Sequence, residues 1–437
     1  MSLSIGIDGY NIAMTHGTGV ATYGVGLADM VAGLGHSTVG IFGFDVGRQR
    51  ATRELLFFDQ FGREARVESA LQKRRRQLRK YWPFLPAISV DVPLSDAVEK
   101  QGFQGRLPGF DRIVTSAGLF DVAHAHFRRH RRFLTLKCDN PPDIMHWTYP
   151  LPIRLAGARN IYTLHDLVPL RLPYATLDKK LSYNRLIKGC VATADHICTV
   201  SEASRADIIS HFPMAASKIT NTYQIAPMPP RLFDRSAKDD AAMIEGMFAL
   251  NHREYLLFFG ALDPKKNIGR MVEAYLTSRS KTPLVVVGGR SWGTDQETSM
   301  FGSGNVSLYG KAVGARIIHL DYLPRDLLLR LARGAKAVLF PSLYEGFGLP
   351  ALEAIRLGTP VIASNTSSLP EVVGEAGLMV NPYDVQAIAD AITALDNDPA
   401  LAARLIAAGP TQIEKFSEAA YRARLSGMYD RVMGQRS

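Results

Sequence analysis

The chain has 437 residues, 46% of them hydrophobic and 21% charged, with a formal net charge of +10. Such a length fills two or three domains, and such an apolar content excludes a disordered chain. Three cysteines (Cys138, Cys190 and Cys198) have neither the number nor the spacing of a disulfide framework or a zinc site, which points to a reducing compartment.

The N-terminus, Met1 to Asp8, lacks the charged start and long apolar core of a secretion signal. No apolar run in the chain approaches the roughly 18–20 residues of a membrane helix. A cytoplasmic protein is therefore expected. Ser4–Asp8 and Thr38–Phe44 read as strands around a helix near Thr22–Leu34. Between them, His16-Gly-Thr-Gly-Val-Ala-Thr-Tyr23 approaches the dinucleotide fingerprint G-x-G-x-x-G without meeting it. Thr22 stands where the third glycine belongs, and the glycines begin well past the strand end near Asp8. The segment reads instead as a glycine loop that opens on a cleft and caps the next helix, which argues against a nicotinamide-dependent oxidoreductase.

Residues 50–150 fit an α/β alternation poorly and read as an insertion in the first domain. Two basic clusters fall there: Lys73-Arg74-Arg75-Arg76 with Arg79-Lys80, and Arg128-Arg129-His130-Arg131-Arg132. They suit an anionic membrane face or a lipid-diphosphate-linked acceptor as well as they suit a solvated surface. They lack interleaved aromatic residues, so nucleic acid is not an expected partner.

Further on, Asn160–Leu164, His196–Val200, Tyr255–Phe259, Leu284–Val287, Ile317–Leu320, Ala337–Phe340 and Val361–Ala363 are strand-like, with helical stretches between most of them. Strands rich in β-branched residues that alternate with helices predict parallel, doubly wound sheets. The proline-rich Ile225-Ala-Pro-Met-Pro-Pro230 continues neither a helix nor a central strand. It divides a first domain, 1–225, from a second, 226–415, and residues 416–437 carry a final helix patterned over Phe416–Met433.

The most informative segment is Phe340-Pro-Ser-Leu-Tyr-Glu-Gly-Phe-Gly-Leu-Pro-Ala-Leu-Glu353. A buried strand runs into a loop whose glycines, Gly346 and Gly348, let backbone amides approach a ligand. Pro350 suits the first turn of the helix that follows. Glu345 and Glu353, with seven residues between them, can face one crevice: one carboxylate for sugar hydroxyls, one for a ribose. Gly260-Ala-Leu-Asp-Pro-Lys-Lys-Asn267 leaves another strand, where Lys265 and Lys266 can neutralise a departing diphosphate. His165-Asp166 ends the strand Ile161–Leu164, and Ser201-Glu202 follows the one ending at Val200.

Together these segments resemble the retaining family 4 glycosyltransferases of GT-B fold: two Rossmann-like domains facing a central cleft. The resemblance extends to Gly288-Gly-Arg-Ser-Trp292, Gly358-Thr-Pro-Val361 and Leu369-Pro-Glu371. It implies that Glu345 contacts the donor sugar and Glu353 the nucleotide ribose. Lys266 with Lys265 would hold the diphosphate, helped by backbone amides of Phe347, Gly348, Leu349 and Gly19. His165, with Asp166, would border the sugar and the acceptor, and Tyr322-Leu323 would lie near the base. No metal or cofactor is implied. The donor is a nucleotide sugar, with GDP-mannose favoured and UDP- or dTDP-sugars left open; the acceptor is a glycan or a lipid-linked sugar. Many relatives have arginine directly after the glycine at 260, where this chain has Ala261, and arginine at 265, where it has lysine. Replacing Glu345 by Gln or Lys266 by Ala is expected to abolish turnover with the fold kept. A non-catalytic scaffold is the alternative, against which Glu345, Lys266 and His165 are all present.

Overall fold

A computed structural model describes residues 2–14, 19–62, 85–95, 98, 101–103, 105–289 and 317–434. The cluster from Lys73 to Lys80, the residues His16 to Thr18 and the segment Arg290 to Trp292 lie outside the described residues.

The first lobe is built on strands β1 (Ser4–Asp8), β2 (Ser37–Phe42), β3 (Ala87–Ile88), β4 (Val90–Val92), β5 (Arg112–Thr115), β6 (Leu134–Lys137), β7 (Ile144–Trp147), β8 (Ile153–Leu155), β9 (Arg159–Thr163), β10 (His196–Thr199) and β11 (Ile219–Asn221). Eight form one sheet in the order β11-β10-β9-β7-β1-β2-β5-β4, parallel except for the outer pair β4–β5. The order reverses between β1 and β7, so their carboxyl ends open a crevice of the kind that binds ligands in open α/β sheets. A small sheet, β3-β6-β8, sits to the side.

Residues 50–150 do not stand apart as an insertion. Within them, β5 pairs in parallel with β2, and β7 pairs with both β1 and β9 at the centre of the sheet. Arg-Ile-Val-Thr opens on a charge, and Ile-Met-His-Trp, just after Pro141-Pro142, carries one β-branched residue and a histidine, so neither reads as the unbroken apolar run of a buried strand.

The second lobe holds β12 (Leu256–Phe259), β13 (Leu284–Val287), β14 (Ile317–Leu320), β15 (Ala337–Phe340), β16 (Val361–Ser364) and β17 (Gly377–Val380), all parallel, in the order β14-β13-β12-β15-β16-β17. This is the doubly wound order, with its reversal between β12 and β15. Both of these strands are wholly buried, which is why they read as unbroken apolar runs.

The last helix, Glu418–Gly434, packs into the first lobe. Tyr421, Leu425, Met428, Tyr429 and Val432 join the core made by β1, β2 and the helix Gly19–Gly33. At its heart the His146 ring bonds the Tyr429 hydroxyl and Thr163 Oγ1, both at 2.9 Å. Burial, with His196 and His165 nearby, lowers the His146 pKa to about 3. The folded protein holds this ring neutral, whereas the unfolded chain protonates it near its ordinary value, about 6.5. Stability is therefore expected to fall as pH drops below that value, by up to about 1.4 kcal/mol per pH unit from this one group. Urea midpoints of the wild type and His146→Gln across pH 7 to 5 check this; identical pH slopes would exclude His146 as a source. No helix among the described residues is long and apolar enough to cross a membrane.

Candidate active site

In the second lobe, the loops after β12 and β15 leave the sheet side by side. After β12 a single turn, Pro264–Lys266, ends on Asn267, whose backbone is left-handed (φ 61°). The Asn267 amide donates to the carbonyls of Pro341 (3.0 Å) and Pro382 (2.7 Å), tying the two loops together. Leu343 N–H donates to the Lys265 carbonyl at 2.8 Å. These backbone ties bring Lys266 Nζ to 2.7 Å from Glu345 Oε1, with both residues buried. The same ammonium lies 4.6 Å from the centre of the Phe340 ring.

Burial alone would raise the Glu345 pKa, but the ammonium groups of Lys266 and Lys265 outweigh it and hold the carboxyl below its ordinary range. Burial likewise opposes the charge on Lys265, yet Glu345, Asp166 and Asp263 prevail and raise its pKa. On Lys266 burial outweighs the pull of Glu345 and lowers the pKa, so the site is a knot of two lysines on one buried carboxylate in which Lys265 is the more firmly charged. Its loop is braced from behind: Ser367 Oγ accepts from Glu345 N–H (2.9 Å), and Ser368 Oγ donates to the carbonyls of Glu345 (3.0 Å) and Phe347 (2.8 Å).

Gly348 starts the helix Leu349–Arg356 with φ 101°, and a Cβ there would lie 2.6 Å from Leu369 Cδ2, so both backbone and space demand glycine. Phe347 turns its ring away into the first lobe, against Tyr223 and Phe416. One turn into the helix, buried Glu353 is gripped through both oxygens by Arg325. Arg325 follows directly on Tyr322-Leu323-Pro324, where Tyr322 is exposed and Leu323 buried.

The first lobe meets these loops with the ends of β1, β7 and β9. Asp8 accepts from the backbone N–H of Thr148 and Tyr10, while burial pushes its pKa up to about 6. His165 Nε2–H donates to the Thr148 carbonyl at 2.9 Å, and its ring stands perpendicular to that of Tyr23, 4.9 Å from centre to centre. Burial lowers the His165 pKa, leaving a neutral imidazole. Asp166 Oδ1 caps Val168 N–H at 3.0 Å. Gly19 opens its helix beside the other lobe, where a Cβ would lie 3.8 Å from Leu349 Cδ1.

The lobes touch at several defined points. Ser204 Oγ reaches the carbonyls of His165 (2.8 Å) and Gly346 (3.2 Å), one in each lobe. The Glu371 carboxylate accepts from the backbone N–H of Glu202 (3.0 Å) and Ala203 (2.9 Å), at the start of the helix Glu202–His211. Tyr344 donates to Asp207. Between these contacts lies a cavity of about 240 Å³, lined by His165 and Asp166 from one lobe and by Asp263 and Lys265 from the other.

The structure thus gathers Lys265, Lys266, Glu345, Gly346, His165 and Asp166 around one cleft. Glu353 lies one helical turn behind the loop and is paired with Arg325. Sequence reading gave no role to Arg325, Asp263 or the wall residues Tyr149, Asp178 and Tyr183. Asp263 stands directly before Pro-Lys-Lys-Asn and carried a usable signal; the others come from stretches with no local pattern.

Two open α/β sheets with their crevices face to face define a GT-B fold, and the site is of the glycosyltransferase kind. Residues 247–412 match the family described as Glycosyl transferases group 1, and residues 99–223 match Glycosyltransferase Family 4. An O-antigen chain mannosyltransferase B of Escherichia coli is 33% identical over 272 residues, which cover 61% of this chain and 68% of that one. A serotype-specific mannosyltransferase WbdA of Escherichia coli is 26% identical over 344 residues; these cover 73% of this chain but only 41% of that longer protein. Among solved structures, a sucrose-phosphate synthase from Thermosynechococcus elongatus superimposes with a TM-score of 0.64 at 18% identity, covering 99% of each chain. The chain belongs to glycosyltransferase family 4.

Proposed function

We propose that this glycosyltransferase moves a mannosyl group from a nucleotide diphosphate, GDP-mannose being favoured, to a glycan or lipid-linked acceptor with retention of anomeric configuration. The observation that carries the reading is the buried Lys266–Glu345 pair, with Lys265 beside it, at the reversal point of the second sheet. The preference for mannose rests on the two mannosyltransferase relatives.

In this reading Glu345 accepts hydrogen bonds from hydroxyls of the donor sugar. Lys265 and Lys266 face the diphosphate together with the amides of Phe347, Gly348, Leu349 and Gly19. Glu353, oriented by Arg325, takes the ribose hydroxyls, and Tyr322-Leu323 borders the base. As the bond between the anomeric carbon and the phosphate oxygen breaks, negative charge grows on the leaving diphosphate, where fixed ammonium groups stabilise it best. The acceptor oxygen forms its bond to the same face of the anomeric carbon and passes its proton to the departing phosphate oxygen. His165, being neutral, borders the sugar without adding charge to that balance. The two lysines supply the positive charge for which other transferases use a metal ion, so no cofactor is part of the proposal. The exposed arginines Arg128, Arg129, Arg131 and Arg132 close the helix Leu119–His130 and support peripheral contact with an anionic membrane.

Thermal-shift measurements with GDP, UDP, dTDP and their sugars test the donor. GDP-mannose at 100 times its Kd is expected to stabilise the fold by about 2.7 kcal/mol, a rise of a few degrees in Tm. Stabilisation by UDP-glucose with none by GDP-mannose would overturn the donor assignment.

A further inference from the structure

We propose that the cavity between the lobes is the acceptor subsite and that it selects a neutral, polyhydroxylated sugar over a phosphorylated one. The inference rests on the glycosyltransferase reading above and adds to it the chemistry of the acceptor. Most of the cavity wall comes from the first lobe, including Tyr149, Asp178 and Tyr183, while Asp263 and Lys265 close it from the donor lobe. It therefore adjoins the diphosphate position and extends away from it.

Charge argues first. Asp166, Asp178 and Asp263 face a single ammonium, Lys265, which already sits in the field of Glu345, Asp166 and Asp263. His165 contributes no positive charge. Among the described lining residues, a phosphate dianion entering here meets a surplus of carboxylates and no cation besides Lys265. Lys179 and Lys180 are exposed nearby but do not line the cavity.

Hydrogen-bond polarity argues independently. Several donors of the wall are already engaged within the protein. Tyr183 O–H donates to the Asp166 carbonyl (2.9 Å), Thr176 O–H to Asp178 Oδ2 (2.9 Å), and His165 Nε2–H to the Thr148 carbonyl (2.9 Å). The carboxylates remain as acceptors. Phosphate oxygens also accept, so they find few partners, whereas sugar hydroxyls donate to carboxylates readily. Val168, Pro169 and Ala175 supply apolar wall against which the C–H face of a pyranose can lie.

The test is a titration of the full chain, holding saturating nucleotide diphosphate, with methyl α-mannoside and with mannose 6-phosphate. The neutral glycoside is expected to bind at least ten times more tightly. Asp178→Lys, an exposed loop substitution, is expected to shrink that ratio at least five-fold by improving the phosphate rather than by losing the fold, which its Tm reports. Equal or tighter binding of mannose 6-phosphate, binding of neither sugar, or a ratio unmoved by Asp178→Lys overturns the inference. The nucleotide's own thermal shift separates the two readings. If no nucleotide stabilises the protein, the donor-site reading fails; if one does and the phosphorylated sugar is preferred, only the acceptor inference fails.

Discussion

Lys266→Ala should lower turnover by about 100- to 1,000-fold, the scale seen when one fixed donor to a developing anion is removed. Unlike the expectation from sequence, it should also cost stability. Lys266 and Glu345 are both buried and in contact at 2.7 Å. Removing one partner of such a pair strands the other charge, at about 3–5 kcal/mol. Lys265, which also acts on Glu345, should keep the loss toward the lower end of that range. Glu345→Gln is the gentler probe: its amide oxygen can still accept from the ammonium, so the fold should be kept better while turnover falls. Steady-state rates and urea midpoints of both variants separate the two effects. Wild-type turnover in Lys266→Ala would remove this lysine from the reaction.

Gly346→Ala should lose about 100-fold in kcat/KM with a smaller change in stability. The added methyl would stand 2.8 Å from the His165 carbonyl oxygen and 3.0 Å from Asp166 Oδ2. Both atoms belong to the opposite lobe, so the clash bears on how closely the halves approach and less on either core. Such crowding shifts the donor loop against the strand end by several tenths of an ångström. Displacements approaching an ångström at a reacting centre carry losses of about this size. The backbone of Gly346 is not among the positive-φ glycines, so alanine meets no conformational penalty there. Activity equal to the wild type would show that the lobes do not need this contact during turnover.

Much of this site was legible because its chemistry sits at strand ends. β12 and β15 are uninterrupted apolar runs, and what leaves them, Pro-Lys-Lys-Asn and Glu-Gly-Phe-Gly, puts charge and glycine together at strand ends, where open α/β sheets bind ligands. The expected strands Ser4–Asp8, Leu284–Val287, Ile317–Leu320 and Ala337–Phe340 have the observed bounds. What could not be read depends on contacts distant along the chain. Arg325 looks like an ordinary first-turn residue until the fold brings it against Glu353, 28 positions further along the chain. Glu371 reads as a helix-start acid, and only the assembled lobes reveal that it caps a helix 168 residues away. Residues 50–150 misled for a local reason: β5 opens on an arginine and β7 carries a histidine and a tryptophan, so neither is the uninterrupted apolar run that β12 and β15 are.

The final helix has a consequence for biosynthesis. A ribosome that has completed both sheets has still not made Tyr421, Leu425, Met428, Tyr429 and Val432, whose side chains the first lobe buries. The half synthesised first is thus the half finished last. Through the whole translation of its neighbour it presents a bare apolar surface beside the helix Gly19–Gly33 and His146, the kind of nascent surface on which chaperones act.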